Sequence, residues 1–148
     1  MNSANGFAKK ARNYAKAMNA PLAIADKQRL NLTGAMTINH IIGDVAGRSA
    51  LIVDDFTTSG GTLAEVASAL MERGAKEVFA AISHGVWSPD SMERLDASPI
   101  KTLLVTDSIE TQPVKLSPKV QVVSVAPLLG EAIRRIHCRE SISVLFET

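Results

Sequence analysis

The stretch LIVDDFTTSGGTL, residues 51–63, decides the fold of this chain. Its apolar first part ends in two adjacent carboxylates, and small hydroxyl residues and glycines follow at once. A strand that only filled a core would end in a simple turn. In sheets of parallel strands, ligands bind where the strands end and loops lead into helices. The stretch therefore predicts a buried strand, a binding loop and a helix, in that order.

The glycines and hydroxyl residues of this stretch favour a phosphate ligand. Gly60 and Gly61 let the backbone approach a ligand closely, and the helix that begins at Thr62 presents backbone N–H groups at the positive end of its dipole. Further hydrogen-bond donors are the hydroxyl groups of Thr57, Thr58, Ser59 and Thr62. We call residues 57–62 the phosphate loop.

The two carboxylates need a different part of the ligand, because Asp54 and Asp55 would repel a phosphate. Either sugar hydroxyls, which donate hydrogen bonds to carboxylates, or a divalent cation would suit them. A sugar phosphate is the simplest ligand that has both parts. The alternative is that Asp55 only caps a turn in an ordinary connection between a strand and a helix, since a glycine-rich loop without its context is a weak signal.

The rest of the chain alternates between strands and helices. This order implies right-handed crossovers and a mainly parallel sheet with helices on its faces, so the predicted fold class is α/β. The predicted helices are residues 7–18, 63–73, 88–98 with Ser88 as N-cap, and 126–138. The predicted strands are residues 21–25, 38–42, 50–54, 77–83, 100–106 and 120–125, and residues 26–37 read as a polar loop.

The composition is that of a single globular domain over residues 1–148. The chain is 46% hydrophobic and 21% charged with a net charge of +1, so no basic surplus favours a nucleic-acid partner. No apolar run reaches the roughly 18 residues of a membrane span, and the N-terminal sequence lacks the apolar core of a signal peptide. The single cysteine, Cys138, allows no intramolecular disulfide, and a reducing cytoplasm is the expected location.

Several segments carry a resemblance to a known family. VDDFTTSGGT (53–62) resembles the binding signature for ribose 5-phosphate and phosphoribosyl pyrophosphate (PRPP) of the type I phosphoribosyltransferase fold. The segments 6–29, 72–88, 98–109 and 122–146 are similar to consecutive parts of ribose-phosphate pyrophosphokinases, also called PRPP synthetases. The resemblance covers nearly all of this chain but only the C-terminal half of the family's usual polypeptide.

The resemblance implies an activity and a role for particular residues. Enzymes of that family transfer a diphosphoryl group from MgATP to the anomeric hydroxyl of ribose 5-phosphate, which gives PRPP and AMP. By this similarity Asp54 and Asp55 hold the ribose 2- and 3-hydroxyls, directly or through Mg²⁺, and residues 58–62 hold the 5-phosphate. Lys27 and Arg29 match two cations of the family's mobile catalytic loop, where they would neutralise the transferring group. We expect residues 26–36 to be mobile without ligand.

The chain also departs from the family pattern. A strand and a loop with an aspartate precede the family's first helix, whereas here Ala4 takes roughly the place of that aspartate. The first strand of the family fold is therefore expected to be missing, and the open sheet edge predicts a homo-oligomer or edge pairing. The missing half normally supplies much of the ATP pocket, which predicts latent or partial catalysis in the isolated chain.

Two other functions remain open. A noncatalytic regulatory or assembly subunit of a PRPP synthetase is the first, although intact Lys27, Arg29, Asp54 and Asp55 argue against a long-decayed site. A base-specific phosphoribosyltransferase is the second, but it would need a base-recognising hood that this chain lacks. His84, at the end of a predicted strand, is at most a residue that lines the site.

Overall fold

The computed structural model describes the backbone of residues 4–29, 36–110 and 115–146, and side chains within residues 11–25, 41–110 and 115–146. Four α-helices, six β-strands and one short 3₁₀ helix follow one another in these ranges. They are α1 (Ala4–Ala17), β1 (Ile24–Arg29), β2 (Met36–Ile42), β3 (Ser49–Thr57), α2 (Gly61–Glu72), β4 (Glu77–Gly85), α3 (Ser91–Ala97), β5 (Ile100–Thr106), β6 (Val120–Val123), α4 (Ala126–His137) and the 3₁₀ helix Ser143–Leu145.

Four parallel strands form the main sheet, in the order β3-β4-β5-β6. Leu51 of β3 lies opposite Phe79 of β4, and Val105 of β5 lies opposite Val122 of β6. α2 connects β3 to β4, and α3 connects β4 to β5. The predicted α/β class with a mainly parallel sheet is therefore confirmed, and all four carboxyl ends lie at one edge of the sheet.

The core lies between this sheet and the helices α2 and α3. On β4, alternate residues are buried, which is the period of two expected when one face of a strand packs on a core. Across from them, α2 buries residues at helical spacing. The main contributors are Leu63, Val66, Ala67 and Leu70 of α2, Val78, Ala80 and Ile82 of β4, Leu95 of α3, and Leu103 and Val105 of β5.

The first two strands form a separate antiparallel hairpin. Ile24 lies opposite Ile42 and Arg29 lies opposite Met36, with a register irregularity between Asp26 and Lys27. The predicted strand at 21–25 and polar loop at 26–37 are therefore wrong in their bounds, because β1 runs through residues 24–29 and β2 begins at residue 36. An antiparallel pair satisfies its backbone groups while its faces meet water, so a polar composition does not prevent a strand. The predicted mobility of residues 26–36 falls mainly on residues 30–35, which lie outside the described residues.

α3 begins three residues later than its sequence pattern predicts. Its N-cap position is Asp90 rather than Ser88, and no side chain caps the first turn. Ser88 is held elsewhere, because its N–H donates to the carbonyl of Thr58 at 3.1 Å and its hydroxyl donates to Asp90 Oδ1 at 2.6 Å. The Ser88 hydroxyl is thus used by Asp90 and its N–H by the phosphate loop, and the hydroxyl does not cap the helix.

α4 differs from the other helices of the sheet layer because it buries no residue. Leu129 and Ile133 on its apolar side are 56% and 68% exposed. In the parts of the chain that the structure describes, no helix is both long enough and apolar enough to cross a membrane.

Candidate ribose-phosphate site

β3 carries the two carboxylates to the carboxyl edge of the sheet. The strand extends to Thr57, three residues beyond its predicted end, so Asp54 and Asp55 occupy consecutive positions near its end. Asp54 is half-buried and Asp55 is exposed. The N–H of Asp55 donates to Asp54 Oδ1 at 2.9 Å, which fixes one carboxylate oxygen against the backbone. The pair is accessible to a ligand that approaches this edge.

The phosphate loop turns directly into α2 through a left-handed glycine. Gly60 has φ +71° and ψ −5°, a conformation that L-residues with a side chain rarely adopt. The N–H of Ala64 donates to the Gly60 carbonyl at 3.0 Å, which is the first hydrogen bond of the helix. The first N–H groups of any α-helix have no acceptor within the helix and point out of its N-terminus. This is the geometry that binds phosphate.

The four hydroxyl residues of the phosphate loop differ in exposure. Thr57 is only 7% exposed and belongs to the interior, whereas Thr58 is exposed. Ser59 and Thr62 are half-buried, and Ser59 Oγ accepts the N–H of Gly61 at 3.4 Å. Thr58, Ser59 and Thr62 are therefore the hydroxyls that the loop presents at its surface.

The chain after β4 supports the phosphate loop from one side. The N–H of Val86 donates to the Thr57 carbonyl at 2.9 Å, and that of Ser88 donates to the Thr58 carbonyl. Trp87 lies between them and packs on Gly85, where a Cβ would come within 2.4 Å of the indole ring. We call residues 86–94 the supporting segment. Two backbone hydrogen bonds from this segment thus hold the first two residues of the loop.

Sequence reasoning missed a polar network in the supporting segment. Asp90 Oδ2 accepts from Arg94 Nε at 2.9 Å and from Arg94 Nη2 at 2.6 Å, while Oδ1 accepts from Ser88. These bonds, first the one from the Ser88 hydroxyl and then those from Arg94, lower the pKa of the Asp90 carboxyl. The spacing of four residues between Asp90 and Arg94 is the signal that could have revealed the pair.

His84 lies at the same edge of the sheet as the carboxylates. It pairs in register with Phe56, two residues beyond the strand partner of Asp54. His84 Nδ1 is 2.7 Å from Ser108 Oγ, and the Ser108 hydroxyl donates to the Ser83 carbonyl at 3.0 Å. When Ser108 uses its proton in this way, the Ser108 hydroxyl oxygen accepts the hydrogen bond from His84 Nδ1. His84 is thus placed as a residue that lines this edge.

Lys27 and Arg29 lie on β1, outside the parallel sheet. They are opposite Ile38 and Met36 of β2, and their side chains lie outside the described ones. The hairpin is anchored near the C-terminus of α2, where Arg73 Nη1 donates to the Ile41 carbonyl at 2.9 Å. The described contacts therefore place the base of the hairpin at the other end of α2 from the phosphate loop.

Only a few acidic groups at this edge of the sheet could bind a cation. Among the side chains of residues 11–25, 41–110 and 115–146, no group of three or more His, Cys, Asp or Glu residues is arranged to hold a metal ion. Mg²⁺ commonly binds proteins through one or two carboxylates and takes its other oxygens from substrate and water. Asp54 and Asp55 fit that limited role.

The comparisons with known proteins decide the family. The family described as phosphoribosyl synthetase-associated domain matches residues 8–147. This chain belongs to that family. Its predicted resemblance to ribose-phosphate pyrophosphokinases is confirmed by relatives of that name: one from Caldanaerobacter subterraneus subsp. tengcongensis is 47% identical over 142 residues, and one from Maricaulis maris is 49% identical over 139 residues.

A solved structure supports the same family assignment. The crystal structure of phosphoribosylpyrophosphate synthetase from Mycobacterium smegmatis has a TM-score of 0.77 and 32% identity, and the match covers 88% of this chain and 42% of that one. The two sequence relatives are matched over 96% and 93% of this chain but over 45% and 44% of their own length. The chain therefore spans somewhat less than half of the proteins it matches.

Proposed function

We propose that this chain is a phosphoribosyltransferase-like domain, over residues 1–148, of a ribose-phosphate pyrophosphokinase. In this function it binds ribose 5-phosphate and PRPP and contributes to diphosphoryl transfer from MgATP, which yields PRPP and AMP for nucleotide biosynthesis. The observation that carries the proposal is the carboxylate pair of β3 followed by the left-handed Gly60 that opens α2. A cytoplasmic location suits a chain whose single cysteine has no partner for an intramolecular disulfide.

The ligand's two parts match the two parts of the site. The 5-phosphate accepts hydrogen bonds from the N–H groups over the N-terminus of α2 and from the hydroxyls of Thr58, Ser59 and Thr62. Asp54 and Asp55 accept hydrogen bonds from the ribose 2- and 3-hydroxyls. This orientation leaves the anomeric hydroxyl away from the phosphate loop, where a diphosphoryl donor can reach it. Binding at both ends fixes the sugar for in-line transfer.

Charge neutralisation completes the proposed mechanism. Asp54 and Asp55 would hold Mg²⁺ together with ribose oxygens, and the ion would neutralise negative charge near the reacting oxygen. Lys27 and Arg29, on β1, would supply positive charge to the transferring group when the hairpin closes over the site. Their role rests on the family resemblance, since the described contacts anchor only the base of the hairpin.

Further polypeptide would complete the enzyme. A partner would supply most of the ATP pocket. The open edges of the sheet favour association with another chain. Among the described residues, no strand pairs with the outer edge of β3, and β6 forms the opposite edge. Edges of this kind template pairing with another chain. A homo-oligomer is the assembly we propose.

A second candidate function is a noncatalytic assembly subunit of a PRPP synthetase. One observation favours it: the apolar residues of α4 are largely exposed, and exposed apolar patches of this kind mark interaction surfaces. The two candidates differ in one respect that can be measured. The first requires a functioning sugar-phosphate site, whereas the second does not.

Calorimetric titration of ribose 5-phosphate, with and without Mg²⁺, tests the proposal. We expect saturable binding by the wild-type chain. Asp54→Asn and Asp55→Asn should each weaken binding roughly tenfold, because each replaces a charged hydrogen-bond acceptor by a neutral amide. Asp44→Asn is the matched control, since Asp44 is an exposed aspartate in the turn before β3.

The possible results separate the two functions. Unchanged affinity in both variants of the carboxylate pair would contradict the assignment of Asp54 and Asp55. Absence of saturable binding at millimolar ribose 5-phosphate would favour the assembly subunit. Inorganic phosphate that competes with ribose 5-phosphate would support the assignment of the loop.

A further inference from the structure

We propose that Arg94 is a positioning residue of the ribose-phosphate site, which supplies positive charge beside the phosphate loop and holds that loop in place. The inference rests on the proposed function, because the phosphate it serves is that of the proposed ligand. Arg94 lies on α3, in the connection after the neighbouring strand, and none of the motifs that predict the site includes it.

The guanidinium of Arg94 lies against the start of α2. A Cβ placed on Gly61 would be 3.6 Å from Arg94 Nη1. Nε and Nη2 are the two nitrogens that donate to Asp90 Oδ2, so they face α3 rather than α2. Nη1 is thus the nitrogen turned toward the helix N-terminus, where a phosphate would develop its strongest contacts.

A continuous set of contacts links Arg94 back to the other end of the phosphate loop. Asp90 accepts from Arg94 through Oδ2 and from Ser88 through Oδ1, and the Ser88 N–H donates to the Thr58 carbonyl. The supporting segment therefore touches the loop at Thr58, close to its start, and at Gly61, close to its end. It also passes Gly60, where a Cβ would be 3.6 Å from the Ser91 carbonyl oxygen. The supporting segment thus contacts the loop near both of its ends.

The charge of Arg94 can act on a phosphate over α2 because the ion pair with Asp90 holds the guanidinium on the α2 side. The side chains of Arg94 and Asp90 are 53% and 47% exposed, so solvent screens the attraction between them. The carboxylate therefore does not fully cancel the field of the guanidinium charge. Asp90 sits on the α3 side, whereas Nη1 sits on the α2 side. A dianionic phosphate over α2 is therefore nearer to the cation than to the anion, and the field of the pair adds to that of the helix dipole.

The experiment compares ribose 5-phosphate binding by Arg94→Gln and Arg94→Lys at pH 7.5 and pH 5.0. A phosphate monoester has its second pKa near 6, so it is mainly a dianion at the higher pH and a monoanion at the lower one. We expect Arg94→Gln to weaken binding roughly three- to tenfold at pH 7.5 and clearly less at pH 5.0. Arg94→Lys should recover most of the loss, because it keeps the charge.

Controls separate charge from folding. Arg48→Gln removes the same charge from another exposed pair with a spacing of four residues, at the amino end of β3, and it should leave binding unchanged at both pH values. His84 lies at the same edge of the sheet and is unchanged in every variant, so each variant is compared with wild type at the same pH. Thermal unfolding of each variant, followed by circular dichroism, checks that the fold is intact.

Each result bears on the inference in one direction. Wild-type affinity in folded Arg94→Gln at both pH values would overturn the role of Arg94 and leave the proposed function standing. An equal loss at both pH values that lysine does not recover would show that Arg94 only holds the loop in place, and it would overturn the role of its charge in phosphate binding. If the wild-type chain fails to bind ribose 5-phosphate, the proposed function fails together with the inference.

Discussion

α2 and α4 follow the same local pattern and end in opposite situations. Each is a helix of 12 residues that begins soon after a strand of the parallel sheet. α2 buries four apolar residues, whereas α4 buries none. The comparison shows that helical spacing of apolar residues predicts that a helix forms and which side is apolar. It does not predict whether anything in the same chain covers that side.

The position of each helix in the sheet explains the difference. α2 joins the edge strand β3 to the inner strand β4, and it packs on the sheet, on α3 and on β2. α4 follows β6, a four-residue edge strand whose Val122 and Val123 are themselves about half exposed. The helix at the start of the sheet therefore shapes a site from within the domain. The helix at its end leaves its apolar side exposed in the described residues.

The largest effect expected from this comparison is on stability. Leu70→Ala in α2 removes a side chain that is 6% exposed and should lower the free energy of unfolding by about 3 kcal/mol, because it leaves a cavity in the core. Leu129→Ala in α4 makes the same chemical change at a position that is 56% exposed, and its effect on the isolated monomer should stay within about 0.5 kcal/mol. Urea denaturation of both variants measures the two values.

Oligomerisation would change the effect of Leu129→Ala on the free energy of unfolding and would sharpen the comparison between α2 and α4. If α4 is covered in a homo-oligomer, the stability lost in Leu129→Ala should grow as the protein concentration rises, whereas Leu70→Ala should act at every concentration. Similar losses for both variants at the lowest concentration would contradict the exposure of α4 in the monomer.

Much of the fold follows from the sequence because its signals are local. β5 has the predicted bounds, and β4 and α4 differ from prediction by one or two residues at their ends. Short apolar runs between glycine or proline turns leave little choice there. The hairpin of β1 and β2 was not predicted, since its polar residues gain strand conformation from partners seven to fourteen residues away. Pairing between distant segments leaves no mark in a local pattern.

The same distinction applies to the candidate site. The carboxylates and the phosphate loop are contiguous in sequence, so residue types alone predict them. The supporting segment comes from the next strand-to-helix connection, and its contacts with Thr58 and Gly61 depend on strand order. No composition signal marks Arg94 as different from other exposed arginines. Its place beside α2 appears only once β4 lies next to β3.

A smaller effect on stability is expected from substitution of the glycines at the two ends of α2. Gly60 at its start and Gly74 after its end both have left-handed conformations, with φ +71° and +83°. A Cβ at either position would make only ordinary contacts, at 3.6 and 3.7 Å, so alanine should cost about 1–2 kcal/mol at each through backbone strain alone. Unfolding experiments on Gly60→Ala and Gly74→Ala should therefore give similar losses.

Ligand binding separates these two glycines. Gly60→Ala should weaken ribose 5-phosphate binding at least tenfold, because relief of the strain turns the N–H groups of the phosphate loop away from the ligand. Gly74→Ala, at the far end of the helix, should bind as the wild type does. Equal affinity in both variants would show that the left-handed turn is a structural feature of α2 and not part of the site.

The smallest effect concerns the surface charges that stabilise α4, a helix with no buried residue. Arg134 bonds Glu131 and Glu140, and Arg135 also bonds Glu131, at distances of 2.7–3.0 Å. Hydrogen bonds from Arg134, and then from Arg135, lower the pKa of Glu131 to about 2 from its ordinary value of 4.5. Because the folded pKa lies below the unfolded one, Glu131 stabilises α4 fully above pH 4.5, and this contribution is lost as the pH falls toward 2.

The helix with a buried face provides the reference for that titration. Solvent screens the exposed network, so the helical circular dichroism should fall only slightly between pH 4.5 and 2, and 0.5 M salt should reduce the change. Glu131→Gln should remove most of this step, whereas Glu65→Gln on α2 should leave it, since core packing and not surface charge holds α2. A step that survives Glu131→Gln would show that α4 is held by something other than its ion pairs, and a covered apolar face would then be the remaining cause.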